Sequence, residues 1–260
     1  MAGALVATLE GWTVGPIHAY AISSCGLSWG CFGRAAGGSQ LSTGTGSSVE
    51  ADCISQGDAG ILYAINGVCH QAANRILYSA GINVSGAGGY GQSVFLYGVN
   101  GRTAPRRPDT SFVYQITRCV PQVGVGSKPG AGMKHLSNSG QRVSMATIDD
   151  SDTDNTRLAE LSDLVRNRLG EKLDTETFEQ LAEIQFQLQV EQKTLAISLL
   201  DDRISRERYL EDLLKLTRTT NDRIIRLLGR QAFERIFGDP ELSGELIDRE
   251  VFLGQKLRNL

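Results

Sequence analysis

Histidine is scarce in this chain: His18, His70 and His135 are the only three in 260 residues. Any chemistry that needs an imidazole must use one of them. Cysteine is limited to five, Cys25, Cys31, Cys53, Cys69 and Cys119, with no CxxC pair. That odd count argues against a full disulfide framework, and the spacing argues against a zinc ribbon. Reduced thiols are the expectation. A large charge of one sign is also missing. The net charge of −3 gives no global reason to expect a nucleic-acid partner. No apolar run reaches the ~20 residues of a membrane span. The start, MAGALVATLEGW, lacks a basic n-region, and Glu10 interrupts its apolar stretch. These features lead us to expect a cytoplasmic protein, or one exported without a cleaved signal.

Glycine and charge are present but unevenly spread. Of 30 glycines, 25 precede residue 150 and five follow it. Residues 1–150 hold 9 Lys and Arg and 7 Asp and Glu, whereas residues 151–260 hold 17 and 22. The break divides the sequence into a region 1–122, a Gly/Ser/Asp-rich linker 123–154 and a helical region 155–260. In the linker, DDSDTDN has the acidic spacing that opens a calcium loop. Asn155 stands where the turn glycine belongs and Leu161 where the bidentate carboxylate belongs, so an acidic approach to a helix is the reading.

The last region has helical periodicity. A first helix runs from Asn155 or Thr156 to about Leu169 and stops at Gly170. A second starts at a cap on Asp174 or Thr175, with Phe178, Leu181, Ile184, Leu188, Leu195 and Leu199 on one stripe. A third starts at Ser205, carries Leu210, Leu213, Leu214, Ile224, Leu227 and Leu228, and closes at Gly229. A short helix in RQAFERIFGDP follows. The DDRIS connection makes the two long helices an antiparallel hairpin. With no His and no Cys, this region suits an interaction or oligomerisation module for a protein partner.

The first region holds the chemistry-bearing residues. IHAYAI (17–22) reads as a strand opened by His18. CFGRAA, SVFLYG (93–98) and SFVYQIT (111–117) also read as strands, and GGSQLSTGTGSS as a loop. NGVCHQAANRILYSAG is the strong helix here, ended by Gly81. It places Cys69 in the first turn, where unpaired N–H groups and the helix dipole favour a thiolate. A buried structural thiol, a metal ligand and a nucleophile are the three readings of Cys69. A nucleophile needs a base. His70 is next in sequence, but neighbouring side chains on a helix diverge by about 100°. His135 sits in the linker. His18, on a strand, is the better mounted.

A His-led strand, HAYAI, and a Cys-led helix, NGVCHQAANRIL, resemble the papain-like NlpC/P60 superfamily. Here the His strand precedes the Cys helix. That is the order of the circularly permuted branch, which includes the lecithin–retinol acyltransferase-like proteins. The resemblance covers roughly residues 10–120. It implies that Cys69 is the nucleophile, His18 its base, and that the N–H groups around Val68 to His70 help hold an oxyanion. The family's third residue has no clear match; Gln40 and Asp52 are the candidates. The implied fold class is α+β, a small papain-like N-terminal domain followed by an all-α helical hairpin domain. The implied activity is thiol-dependent hydrolysis or acyl transfer on an amide, peptide or ester bond of a peptide, peptidoglycan or protein substrate. No cofactor and no metal are expected. The alternative is a non-catalytic partner-binding protein. A zinc site from His18, Cys25, Cys31 and Cys53 lacks close ligand pairs. GAGGYG (86–91) reads as a turn rather than a phosphate loop, and RTAPRRP (102–108) as a solvated loop.

Overall fold

A computed structural model describes residues 6–99, 150–170 and 173–255. The expected strand at 111–117, His135, Cys119 and most of the linker lie outside the described residues. The fold is α+β. Four antiparallel strands form one sheet in the order β3-β2-β1-β4: β1 (Val6–Val14), β2 (His18–Ser23), β3 (Ser28–Trp29) and β4 (Ser39–Ser47). β1 is the centre. It pairs with β2 from Leu9↔Ser23 to Val14↔His18, and with β4 from Val6↔Ser47 to Thr13↔Ser39 with a shift at Gly11/Trp12. Ala7 and Leu9 alternate into the core, as period-two patterning requires.

Three local expectations are corrected. The Gly/Ser run is strand β4. A Cβ at Gly44 would meet Ala80 O at 2.8 Å, and one at Gly46 would meet Ser79 Oγ at 2.7 Å. Those glycines admit the turn 78–80 against the sheet, so they serve close packing and not flexibility. SVFLYG belongs to helix α3 (Tyr90–Tyr97), in which every residue is buried. A helix covered on all sides has no polar stripe, and its short apolar run cannot be told from a strand by periodicity. CFGRAA is a turn after β3. Phe32 lies there at φ +63, in the left-handed region, with its ring 4.8 Å from that of Tyr63.

Helices α1 (Ser48–Ser55) and α2 (Cys69–Leu77) pack on the sheet before α3. The helical region contributes α4 (Asp150–Leu169), α5 (Thr175–Leu200), α6 (Arg206–Leu228), α7 (Arg230–Phe237) and α8 (Arg249–Gly254). α4 starts before the expected residue 155. The caps are the expected ones: Asp174 Oδ1 accepts Thr177 N–H at 2.9 Å, and Ser205 Oγ accepts Arg208 N–H at 3.2 Å. α6 ends at Gly229, with φ +81.

The composition break does not separate two cores. Leu9 and Ala21 of the sheet belong to the same buried apolar cluster as Leu181, Leu213 and Phe233 of the helices. α3 is the joint. The Phe95 ring lies 5.2 Å from Phe237. Gln185 Nε2 donates to Phe95 O at 3.3 Å, Gln92 Nε2 to Asp239 O at 2.8 Å, and Glu160 Oε2 accepts Val99 N–H at 2.9 Å. Glu160 apart, most charged side chains of the helical region are exposed or half-buried, while Phe237 and Gln185 pack on α3.

Candidate functional site

Helix α2 begins at Cys69 because Val68 is extended and its N–H is taken by Gln71 Oε1 at 3.0 Å. The first main-chain bond of the helix runs from Ala72 N to Val68 O at 3.2 Å. The amides of Cys69 and His70 therefore stand free of the helical ladder at its positive end. Ala72, Ala73, Ile76 and Leu77 are buried, and the helix packs on β2.

That packing brings Cys69 beside the start of β2. Its thiol donates to Ile17 O at 3.7 Å, the carbonyl immediately before His18. The thiol hydrogen bond goes to this main chain and not to the imidazole. His18 is half-buried under the turn after β3, where a Cβ at Gly33 would come within 2.6 Å of the ring. Its Nε2 lies 3.0 Å from Arg34 O. A carbonyl only accepts, so Nε2 carries the proton and Nδ1 holds a free lone pair. Burial lowers the His18 pKa, partly offset by the Arg34 carbonyl, so the resting ring is neutral.

The orienting group for His18 is thus a main-chain carbonyl, which leaves no mark in the sequence. Neither candidate for that role reaches the ring. Asp52 Oδ1 accepts Trp29 Nε1–H at 3.2 Å, and Gln40 lies exposed on β4 opposite Trp12.

The expected thiolate is not the resting form. Burial pushes the Cys69 thiol up to about 11, although the N–H groups of Ala19, His70 and Cys69 itself favour the anion. Desolvation outweighs the helix N-terminus because the sulfur is covered. Cys25 and Cys31 are free as well, whereas Cys53 is disulfide-bonded, against the expectation of reduced thiols throughout.

No family model, curated protein or solved structure matches the chain.

His70, expected to be a bystander, is fully buried in a polar network between α2 and α3. Ser93 Oγ donates to Tyr90 O at 2.8 Å and lies 2.9 Å from His70 Nδ1, so Nδ1 is the donor of that pair. Nε2 is left buried without a partner. Gln71 Nε2 donates to Gly98 O at 2.9 Å, and Asn74 Nδ2 to Val99 O at 2.6 Å. Burial lowers the His70 pKa to about 4. Unfolding returns it to near 6.5, so between those values the unfolded chain binds the extra proton. Stability contributed by neutral His70 is present above pH 6.5 and lost as pH falls to 4. The expected loss is about 3 kcal/mol, and it should be absent in His70→Gln. Urea unfolding at pH 7, 5 and 4 measures it.

The glycines of 86–91 are also structural. The segment runs into helix α3, not a strand, yet a Cβ at Gly88 would overlap Pro16 O, and one at Gly91, inside the helix, would overlap Ile236 O. The main chain already fills the space a phosphate would need. Among the described residues, no three His, Cys, Asp or Glu side chains gather as a metal site would require. Among them, too, no helix is long and apolar enough to cross a membrane.

Proposed function

We propose that the chain is a thiol-dependent hydrolase or acyltransferase acting on an amide, peptide or ester bond, in the manner of the permuted NlpC/P60 enzymes it resembles. The supporting observation is the placement of the Cys69 thiol against the carbonyl before His18, with Nε2 of that ring committed to Arg34 O. His18 Nδ1 takes the Cys69 proton as sulfur bonds to the substrate carbonyl carbon. The oxygen becomes an oxyanion facing the free amides at the start of α2. Collapse breaks the bond to the amine or alcohol, which leaves with the proton from His18. Water or another acceptor then attacks the thioester, and Cys69 recovers its proton. Because the resting sulfur is covered, substrate entry must uncover it and relieve the desolvation that holds it neutral.

One observation favours the second reading, a partner-binding protein without catalysis: a thiol with a pKa near 11 is a poor nucleophile at neutral pH. The test is turnover on a panel of amide, peptide, ester and thioester substrates. Activity in the wild type that falls at least about 10²-fold in His18→Ala supports the enzyme. An inactive wild type supports the binding protein, and an active one indifferent to His18→Ala removes His18 as the base.

A further inference from the structure

The loop that delivers Cys69 is held in an unfavourable shape, and the helical region supplies part of the hold. Ala64, five positions before Cys69, is fully buried at φ +62. The left-handed region is disfavoured for a residue with a Cβ. Such a conformation lasts only where the surroundings fix it.

The loop closes on itself. Ala64 N donates to Gly67 O at 2.8 Å, Asn66 N to Leu62 O at 3.1 Å, and Leu62 N to Asn66 Oδ1 at 2.8 Å. Two tyrosine hydroxyls converge on Ala64 O from other helices. Tyr97 of α3 donates at 3.1 Å, and Tyr209 of α6 at 2.8 Å from 145 residues away. Both acceptor sites of that carbonyl are filled. A second grip lies next door, where Tyr63 Oη accepts Asp248 N–H at 2.9 Å. The Tyr209 ring is itself set by Phe252 of α8, 5.4 Å away. Tyr209 and Asp248, one from each grip, belong to the region with no His or Cys of its own.

We propose that Tyr209 is a positioning residue for Cys69, holding Ala64 in its left-handed turn so that the thiol meets β2 beside His18. The catalytic part of this claim rests on the thiol-hydrolase reading, but the positioning part does not. The helical region is then a component of the site's frame rather than an appended module. Removing the Tyr209 hydroxyl leaves Ala64 O with one donor, and the turn relaxes. Ala64→Gly removes the steric reason to relax, because glycine adopts positive φ freely.

The experiment follows alkylation of Cys69 in the full chain by iodoacetamide from pH 6 to 11, with each cysteine read separately by peptide mass. Of its neighbours, Cys31 is pushed up to about 12 by burial, Tyr63 is raised by burial too, and His18 and His70 are lowered. The profile above pH 7 therefore belongs to Cys69. Tyr209→Phe should lower its midpoint by at least one pH unit and raise the rate at pH 8 about tenfold. Tyr209→Phe with Ala64→Gly should return towards the wild-type profile. On the best substrate, kcat should fall about tenfold in Tyr209→Phe with KM little changed, and recover in the double variant. A Cys69 profile unchanged by Tyr209→Phe overturns the proposal. So does a lower Tm with no return of the profile in the double variant, which a merely structural hydroxyl would give. If the wild type turns nothing over, the hydrolase reading fails, and the alkylation profile alone decides the positioning. Should Tyr209→Phe not fold, Tyr97→Phe removes the other hydroxyl and is judged by the same profile.

Discussion

Cys69→Ala is expected to abolish turnover while leaving the chain folded. In the proposed mechanism the substitution removes the one atom that bonds to substrate, so activity should fall to the uncatalysed background, about 10³-fold or more. The structural cost is small for a definite reason. The bond the thiol donates, to Ile17 O, is a long contact at 3.7 Å, and Ala preserves the helix start. The void left by one sulfur costs on the order of 1 kcal/mol, or about 2–4 °C in Tm. Cys69→Ser adds a control, because its hydroxyl can still donate to Ile17 O while being a far weaker nucleophile. It should match the wild type in Tm and Cys69→Ala in activity. Turnover and thermal unfolding of the three proteins measure this. An active Cys69→Ala removes the nucleophile from the account. A wild type without activity, together with a strongly destabilised Cys69→Ala, makes Cys69 a core residue of a binding protein.

The second large effect concerns the shared core. Phe233 on α7 is fully buried and packs 5.2 Å from Phe237, which in turn meets Phe95 on α3. Phe233→Ala should cost about 3–5 kcal/mol, the usual range for a buried aromatic truncated to a methyl group. The loss should reach the sheet, although Phe233 lies far from it in sequence. Both tryptophans, Trp12 and Trp29, sit on strands, whereas most helix is in the last hundred residues. Tryptophan fluorescence therefore follows the sheet, and far-ultraviolet circular dichroism mostly follows the helices. One core predicts coincident urea transitions by both probes, shifted together by Phe233→Ala. A shift in the dichroism alone would show two cores, as the glycine and charge distributions by themselves suggest.

Particular residues show what the sequence could reveal. HAYAI was legible as a strand because its turn-bounded, β-prone run carries its own signal. The helices capped by Asp174 and Ser205 were legible because cap, stripe and closing glycine are all local. β4 was not. Its glycines report the approach of residues 78–80, a tertiary fact written as missing side chains. α3 was not, because a helix wrapped on every side loses the polar face that marks its period. At the site, Cys69 and His18 were legible as residue types on suitable elements. The Arg34 carbonyl was not, since every residue has one. The burial that raises the Cys69 thiol depends on chain segments distant in sequence. The network that buries His70 was hidden for the same reason, because Ser93 lies on a helix that reads as a strand.

The central claim is that Cys69 carries an acyl group during turnover. It is tested most directly by quenching the 260-residue chain with acid seconds after mixing with an activated ester, then locating any acyl mass by peptide mapping. The account predicts one acyl group on the peptide containing Cys69, absent in Cys69→Ala and longer-lived in His18→Ala, because deacylation needs the base. A wild type that carries no acyl group, or carries it on Cys25 or Cys31 while Cys69 stays bare, would contradict it.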